Sequence, residues 1–225
     1  MPLRTVPLVT EEIYHVLNRG NASIPIFKNK YDFQKFVQTF AYYQHANPLL
    51  RYSKFADLSV SERDRSLKEI KSKKDLLVEI IAYCLMPNHF HFMLKQKKND
   101  GILNFIRLST NSHSHYFNIK HKRKGVLFEG RFKAVRIESD SQLTHLSRYI
   151  HLNPYSSFIV KDFENLIKYP FSSFAEYIGF SKESICHKQI VLNQFGSPNK
   201  YKNFVLDQAD YQKKLELIKE QALES

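Results

Sequence analysis

LVEIIAYCLMPNHFHFMLK (residues 77–95) reads as two strands joined by a turn. Residues 77 to 85 form a continuous apolar run of strand length, as a strand covered on both faces requires. Met86, Pro87 and Asn88 interrupt it, because Pro and Asn break strands and favour turns. Residues 89 to 95 then alternate. His89 and His91 fall on one face of the second strand, while Phe90 and Phe92 point into the core. The expectation is a hairpin at the centre of a sheet.

Working outward, EIYHVLN (12–18) alternates apolar and polar side chains and predicts another strand, ended by a turn at Arg19-Gly20-Asn21. Residues 31 to 46 place Phe33, Phe36, Val37 and Phe40 on one helical face, and Asp32 favours the helix start. Residues 48 to 76 are charged and read as a surface insertion with some helical content. A long helix is expected over 100–119, closed near Gly125. VLFEGRFKAVRI (126–137) suggests a bent strand or tight hairpin about Gly130. Ser139 or Asp140 caps a helix over 141–153 that Pro154 stops. Beyond residue 155 the pieces are shorter, with a charged last helix over roughly 208–222. The order β-α-β-β-α-β-α points to an α+β sandwich whose second sheet face is free to carry a site. The boundaries expected are 1–180 for the main domain, with the insertion at 48–76, and 181–225 for a helical C-terminal extension.

Composition narrows the function classes. No apolar run approaches the roughly 20 residues of a membrane span. The N-terminal residues lack the pattern of a secretory signal. Cys84 and Cys186 stand far apart, outside any CxxC spacing, which supports neither a disulfide framework nor a zinc knuckle. A cytoplasmic protein without a membrane partner is expected. The net charge of +12 points instead to a polyanion. Half of it lies between His115 and Arg136, where Lys120, Lys122, Arg123, Lys124, Arg131, Lys133 and Arg136 face one acid, Glu129. Tyr116, Phe117, Phe128 and Phe132 are interleaved there. A basic strip with aromatic faces suits single-stranded nucleic acid, whose bases stack while its phosphates meet Lys and Arg.

Two histidines about 7 Å apart along one strand face can converge on one ion. More often such a pair is exposed or simply hydrogen-bonded, and two imidazoles do not distinguish zinc from magnesium or manganese. The helix over 141–153 adds a second element. Tyr149 and Asn153 lie at i and i+4 and share a face, opposite the apolar Leu143, Leu146 and Ile150. A helical tyrosine is usually a packing residue, and an Asn before Pro usually a terminator. An Asn carbonyl oxygen can nevertheless complete a metal site without adding charge. If this helix crosses the strand pair, His89, His91 and Asn153 surround one ion, with Tyr149 a turn away. That set suits attack on an anionic phosphodiester, where charge must be neutralised and a phenol must ionise.

These motifs resemble the Y1 single-strand transposases of the IS200 kind, and among them the REP-associated tyrosine transposases. The resemblance rests on YHVLNRGN (14–21), IF (26–27), YDFQKF (31–36), MPNHFHFML (86–94), GVLFEGRFKA (125–134), RYIHLNP (148–154) and YPFSSFAEYIG (169–179). It implies a ferredoxin-like (RRM-like) antiparallel sheet with helices packed on it, the HUH endonuclease fold. It implies His89 and His91 as ligands of a divalent metal, Mg2+ or Mn2+, Asn153 as third ligand, and Tyr149 as nucleophile. Many IS200-type enzymes carry Gln where Asn153 stands; the shorter amide matches the REP-associated branch. The implied substrate is single-stranded DNA with a hairpin, formed by palindromic repeats, at the nucleoid. Arg19 and the seven basic residues of the strip are the expected DNA contacts.

The implied activity is metal-dependent cutting and joining of single-stranded DNA through a phosphotyrosine. The alternative is a non-catalytic nucleic-acid-binding regulator that retains the fold, and the intact set of His89, His91, Tyr149 and Asn153 favours the enzyme. A replication initiator shares this logic but needs further domains. The sequence leaves monomer and homodimer both open.

Overall fold

The computed structural model describes residues 7–181 and 185–214. Four strands, β1 (Ile13–Arg19), β2 (Val78–Met86), β3 (His89–Gln96) and β4 (Lys133–Arg136), form one antiparallel sheet in the order β2-β3-β1-β4. The α+β sandwich with an antiparallel sheet is therefore the architecture. Helices α1 (Lys30–Tyr43) and α4 (Gly101–Lys120) pack together on one face. Phe36 of α1 meets Phe90 and Phe92 of β3, and Phe105 of α4 meets Phe92, which makes this face the aromatic core. Helix α5 (Asp140–Ser156) crosses the other face, over β2 and β3.

Local chemistry sets the helix starts. The Asn29 side chain accepts from the N–H groups of Tyr31 and Asp32, and the Ser139 side chain from that of Gln142. Between α1 and β2 the chain forms α2 (Tyr52–Ala56) and α3 (Val60–Ser72), the latter opened by a capping box of Ser59 and Glu62. This excursion is closed at its base, where Ala46 N–H donates to the Asp75 carbonyl and Leu77 N–H to that of Gln44. Tyr52, Phe55 and Ile70 anchor it by burial against the main core.

Three local expectations are corrected. The hairpin does not occupy the sheet centre: β3 and β1 do, and β2 is an edge strand. Its apolar run reflects cover on both faces and along the edge. Leu85 N–H donates to the Phe171 carbonyl, Ser173 N–H to that of Tyr83, and His187 N–H to that of Ile80. This seals the edge without another strand. Second, α4 spans the expected stretch, Gly101–Lys120, but Gly125 does not cap it. Lys120 Nζ and His121 Nε2 lie 2.8 and 2.9 Å from the buried Asp32 carboxylate, and Lys122 takes the left-handed turn at φ 50°. Gly125 has φ 90° in the following loop, and the loop continues past Gly130, so apart from a single bridge of Phe128 to Gly20 the segment joins the sheet through Lys133–Arg136. Third, α5 runs through Pro154 to Ser156. A proline in the last turn removes a single helical donor, and the Asn153 and Pro154 carbonyls accept from Ser157, Ile159 and Val160.

After α5 come α6 (Phe163–Ile167), α7 (Phe174–Tyr177), α8 (Gln189–Leu192) and α9 (Pro198–Leu206). The last helix expected from sequence is described as helical over 209–214; the remainder of it, 215–222, lies outside the described residues. Among the described residues, no helix is long and apolar enough to cross a membrane.

Candidate metal and nucleophile site

The β3 register fixes the histidine pair. His89 lies opposite Arg19 of β1, and His91 opposite Leu17. Their ring centroids are 5.0 Å apart, with the planes nearly perpendicular. His91 is buried, and His89 Nδ1 lies 2.7 Å from the Asn88 side-chain oxygen.

A third imidazole joins them. His15 of β1 stacks on His91 with centroids 5.2 Å apart, and its Nε2 lies 2.9 Å from His91 Nδ1. Burial holds the His91 pKa well below the usual value, and the positive charge that His89 and His15 would carry pushes it the same way. Burial lowers that of His15 to about 4. These imidazoles are neutral near pH 7, the form in which a ring nitrogen offers a lone pair.

Helix α5 brings Tyr149 over the same face. Its ring centroid lies 5.5 Å from that of His91 and 6.1 Å from that of His15, edge-on to both. Leu143 and Ile150 of the same helix are buried. The helix is also fixed by a buried polar chain. His151 Nδ1 lies 2.7 Å from the Tyr201 hydroxyl and its Nε2 2.8 Å from Ser173 Oγ, while Tyr201 and Ser147 hydroxyls pair at 3.0 Å. Asn153 is buried, and its Nδ2 donates to the Tyr149 carbonyl at 2.8 Å. Gln212 Nε2 donates to the same carbonyl at 3.2 Å.

The donor set decides what the site could hold. Among the described residues, no three His, Cys, Asp or Glu side chains converge closely enough to hold a metal ion. The candidate protein ligands are two imidazoles and one amide oxygen. Such a set fits a cation that draws its remaining ligands from water and phosphate, as Mg2+ and Mn2+ do. The residues present are compatible with the group expected from sequence.

The basic residues divide into two groups. Arg19 forms an ion pair with Glu129, Lys120 with Asp32, and Arg136 with Glu12 at 2.6 Å. Arg123 donates to the carbonyls of Gly125 and Val126 and holds the loop after α4. Lys122 and Lys124 are exposed in that loop. Arg131 and Lys133 line a groove of about 1130 Å³, with Arg107, Asn111 and Phe132 among its other walls. Lys133 pairs in register with Leu17, next along β1 to Asn18, which also lines the groove. The groove therefore borders the strand that carries His15.

Sequence reasoning missed His15. It sits at a polar position of an alternating strand, and only the pairing of β1 with β3 brings it to His91. The signal available was its place in YHVLN, on the same strand face as Leu17 and Arg19.

Comparison with known proteins adds the following. Residues 50–153, just under half of the chain, match the family model described as "Transposase IS200 like". That segment contains His89, His91, Tyr149 and Asn153. A solved structure of a REP-associated tyrosine transposase bound to a REP hairpin superposes with a TM-score of 0.51. It covers 82% of this chain and 89% of that one, at 16% sequence identity, a likeness of fold. The search of curated proteins finds no match. The family pattern thus runs through the hairpin and α5, and the fold is like that of the REP-associated enzyme, so the chain is similar to the IS200-like transposases over this segment.

Proposed function

We propose that this protein cuts and rejoins single-stranded DNA at hairpins, using Tyr149 as nucleophile. The observation that carries the reading is the meeting of Tyr149 with His91 on the sheet face crossed by α5. A Mg2+ or Mn2+ ion held by His89, His91 and the Asn153 amide oxygen would supply the positive charge that a phosphodiester's oxygens require at this place. The Tyr149 oxygen attacks phosphorus, giving up its proton, and the bond to the 3′-oxygen breaks. That oxygen leaves as a 3′-hydroxyl after taking up a proton, and the 5′-phosphate stays on Tyr149. A second 3′-hydroxyl reverses the step and frees the tyrosine. The groove lined by Arg131 and Lys133, between α4 and the β4 side of the sheet, offers the DNA phosphates a basic path. Hairpin DNA as partner is supported by the hairpin bound to the structural relative, and such a substrate places the work at the nucleoid.

The test is denaturing electrophoresis of the protein after incubation with end-labelled hairpin DNA and Mn2+. The wild type is expected to yield a shifted, protease-sensitive band. Tyr149→Phe, His89→Ala and His91→Ala are expected to yield none while still retaining hairpin DNA in a filter assay. A band that survives in Tyr149→Phe, or full cleavage in EDTA, overturns the assignment. A wild type that binds hairpins without cutting any of them makes the protein a binding module.

A further inference from the structure

His15 has no role in the sequence reading, and its position calls for one. We infer that His15 is a positioning residue that fixes the tautomer and ring orientation of His91, so that the Nε2 lone pair of His91 faces the cation. The inference rests on the metal reading proposed above and extends it to a residue outside the ligand set.

A neutral imidazole has one N–H and one lone pair, and which nitrogen carries the proton depends on the partner of the other. His91 Nδ1 and His15 Nε2 face each other at 2.9 Å, so one of them must carry the proton between them. If His91 carries it, Nδ1–H donates to His15 Nε2 and the lone pair of His91 is at Nε2. If His15 carries it, His91 spends its lone pair on His15 and has none for a cation. Metal binding by His91 therefore requires the first arrangement, with the proton of His15 on its own Nδ1.

Geometry keeps His15 out of the ligand role. The nitrogen nearest His91 is engaged in that contact, and no three such side chains among the described residues converge on one point. The stacked rings, 5.2 Å apart with planes 21° from parallel, also prevent the His91 ring from rotating freely. His89 has a matching support, since its Nδ1 faces the Asn88 side-chain oxygen at 2.7 Å. An oxygen there can only accept, so Nδ1–H of His89 donates and Nε2 keeps its lone pair. Both members of the pair thus have a partner at Nδ1. Hydrogen-bonded supports of this kind commonly change metal affinity by about 10–100-fold when removed.

The experiment compares the full-length wild type with His15→Gln and His15→Leu. Mn2+ binding is measured by calorimetry, and the His91 tautomer by 15N NMR of the metal-free protein. The wild type is expected to show His91 protonated at Nδ1. His15→Gln, whose side-chain oxygen can accept from Nδ1–H, is expected to keep that tautomer and bind Mn2+ within a few-fold of the wild type. His15→Leu is expected to lose the single tautomer and bind about 10–100-fold more weakly. Equal Mn2+ affinity in all three, or a wild-type His91 protonated at Nε2, overturns the role of His15 and leaves the metal site standing. A wild type that binds no Mn2+ overturns the metal reading itself, and this inference with it.

Discussion

The Asn153 side chain donates to the backbone carbonyl of Tyr149, one turn earlier on α5, at 2.8 Å. The bond consumes the nitrogen end of the amide and orients its oxygen away from the helix backbone. Asn153→Ala is expected to weaken Mn2+ binding about tenfold, or 1.4 kcal/mol, while hairpin retention is unchanged. Asn153→Gln, which keeps an amide oxygen, should lie between the two. Calorimetric titration with Mn2+ decides: an Asn153→Ala protein with wild-type affinity removes Asn153 from the ligand set.

The groove makes a separate prediction about salt. Replacing Arg131 and Lys133 together by Ala is expected to weaken hairpin binding and reduce the slope of log K against log salt by about 1 to 2, the loss of two phosphate contacts. Fluorescence anisotropy over a salt series measures it. An unchanged slope would move the DNA path elsewhere, with the exposed Lys122 and Lys124 as the next residues to replace.

Ser173 joins the β2 edge to the buried chain beneath α5. Its Oγ accepts from Tyr83 N–H at 2.9 Å and faces His151 Nε2 at 2.8 Å. Ser173→Ala strands both groups in the interior, at a cost of about 1–3 kcal/mol. The melting temperature should fall by about 2–4 °C for each kcal/mol lost. Circular dichroism during heating checks this, and a variant that melts with the wild type contradicts it.

His113 gives a pH dependence with a definite sign. It is buried on α4, its Nε2 lies 2.8 Å from the Ile26 carbonyl, and burial lowers its pKa to about 4 from 6.5. The unfolded chain therefore takes up the proton first as pH falls. Its contribution is fully present above pH 6.5, declines as the pH falls towards 4, and is lost below that, a change of about 3 kcal/mol. His113→Gln should flatten the wild-type dependence across this window in urea unfolding at pH 7 and pH 4.5. A variant curve parallel to the wild type would assign the acid sensitivity to other groups.

The parts legible in the sequence were the local ones. The Met86-Pro87-Asn88 turn, the shared face of His89 and His91, the Ser139 cap and the shared face of Tyr149 and Asn153 all follow from periods of two and 3.6 residues and from turn chemistry. Relationships between distant segments were not legible. His15 meets His91 only through the strand order, and β2 looked central because residues 171–173 cover its edge. Pro154 was read as a stop because its position in the last turn, where one missing donor is tolerated, depends on where the helix ends.

The covered edge of β2 also has a consequence for how the chain acquires its structure. Tyr83 waits for Ser173, 90 residues later, before its N–H is paired. During synthesis the hairpin emerges long before its cover, with an apolar strand whose hydrogen-bonding groups are open to any other extended chain. Contacts of such long sequence separation form slowly, and exposed edges of this kind favour aggregation in the interval. Nascent chains truncated before residue 170 should therefore depend on chaperones for solubility far more than chains that have passed it.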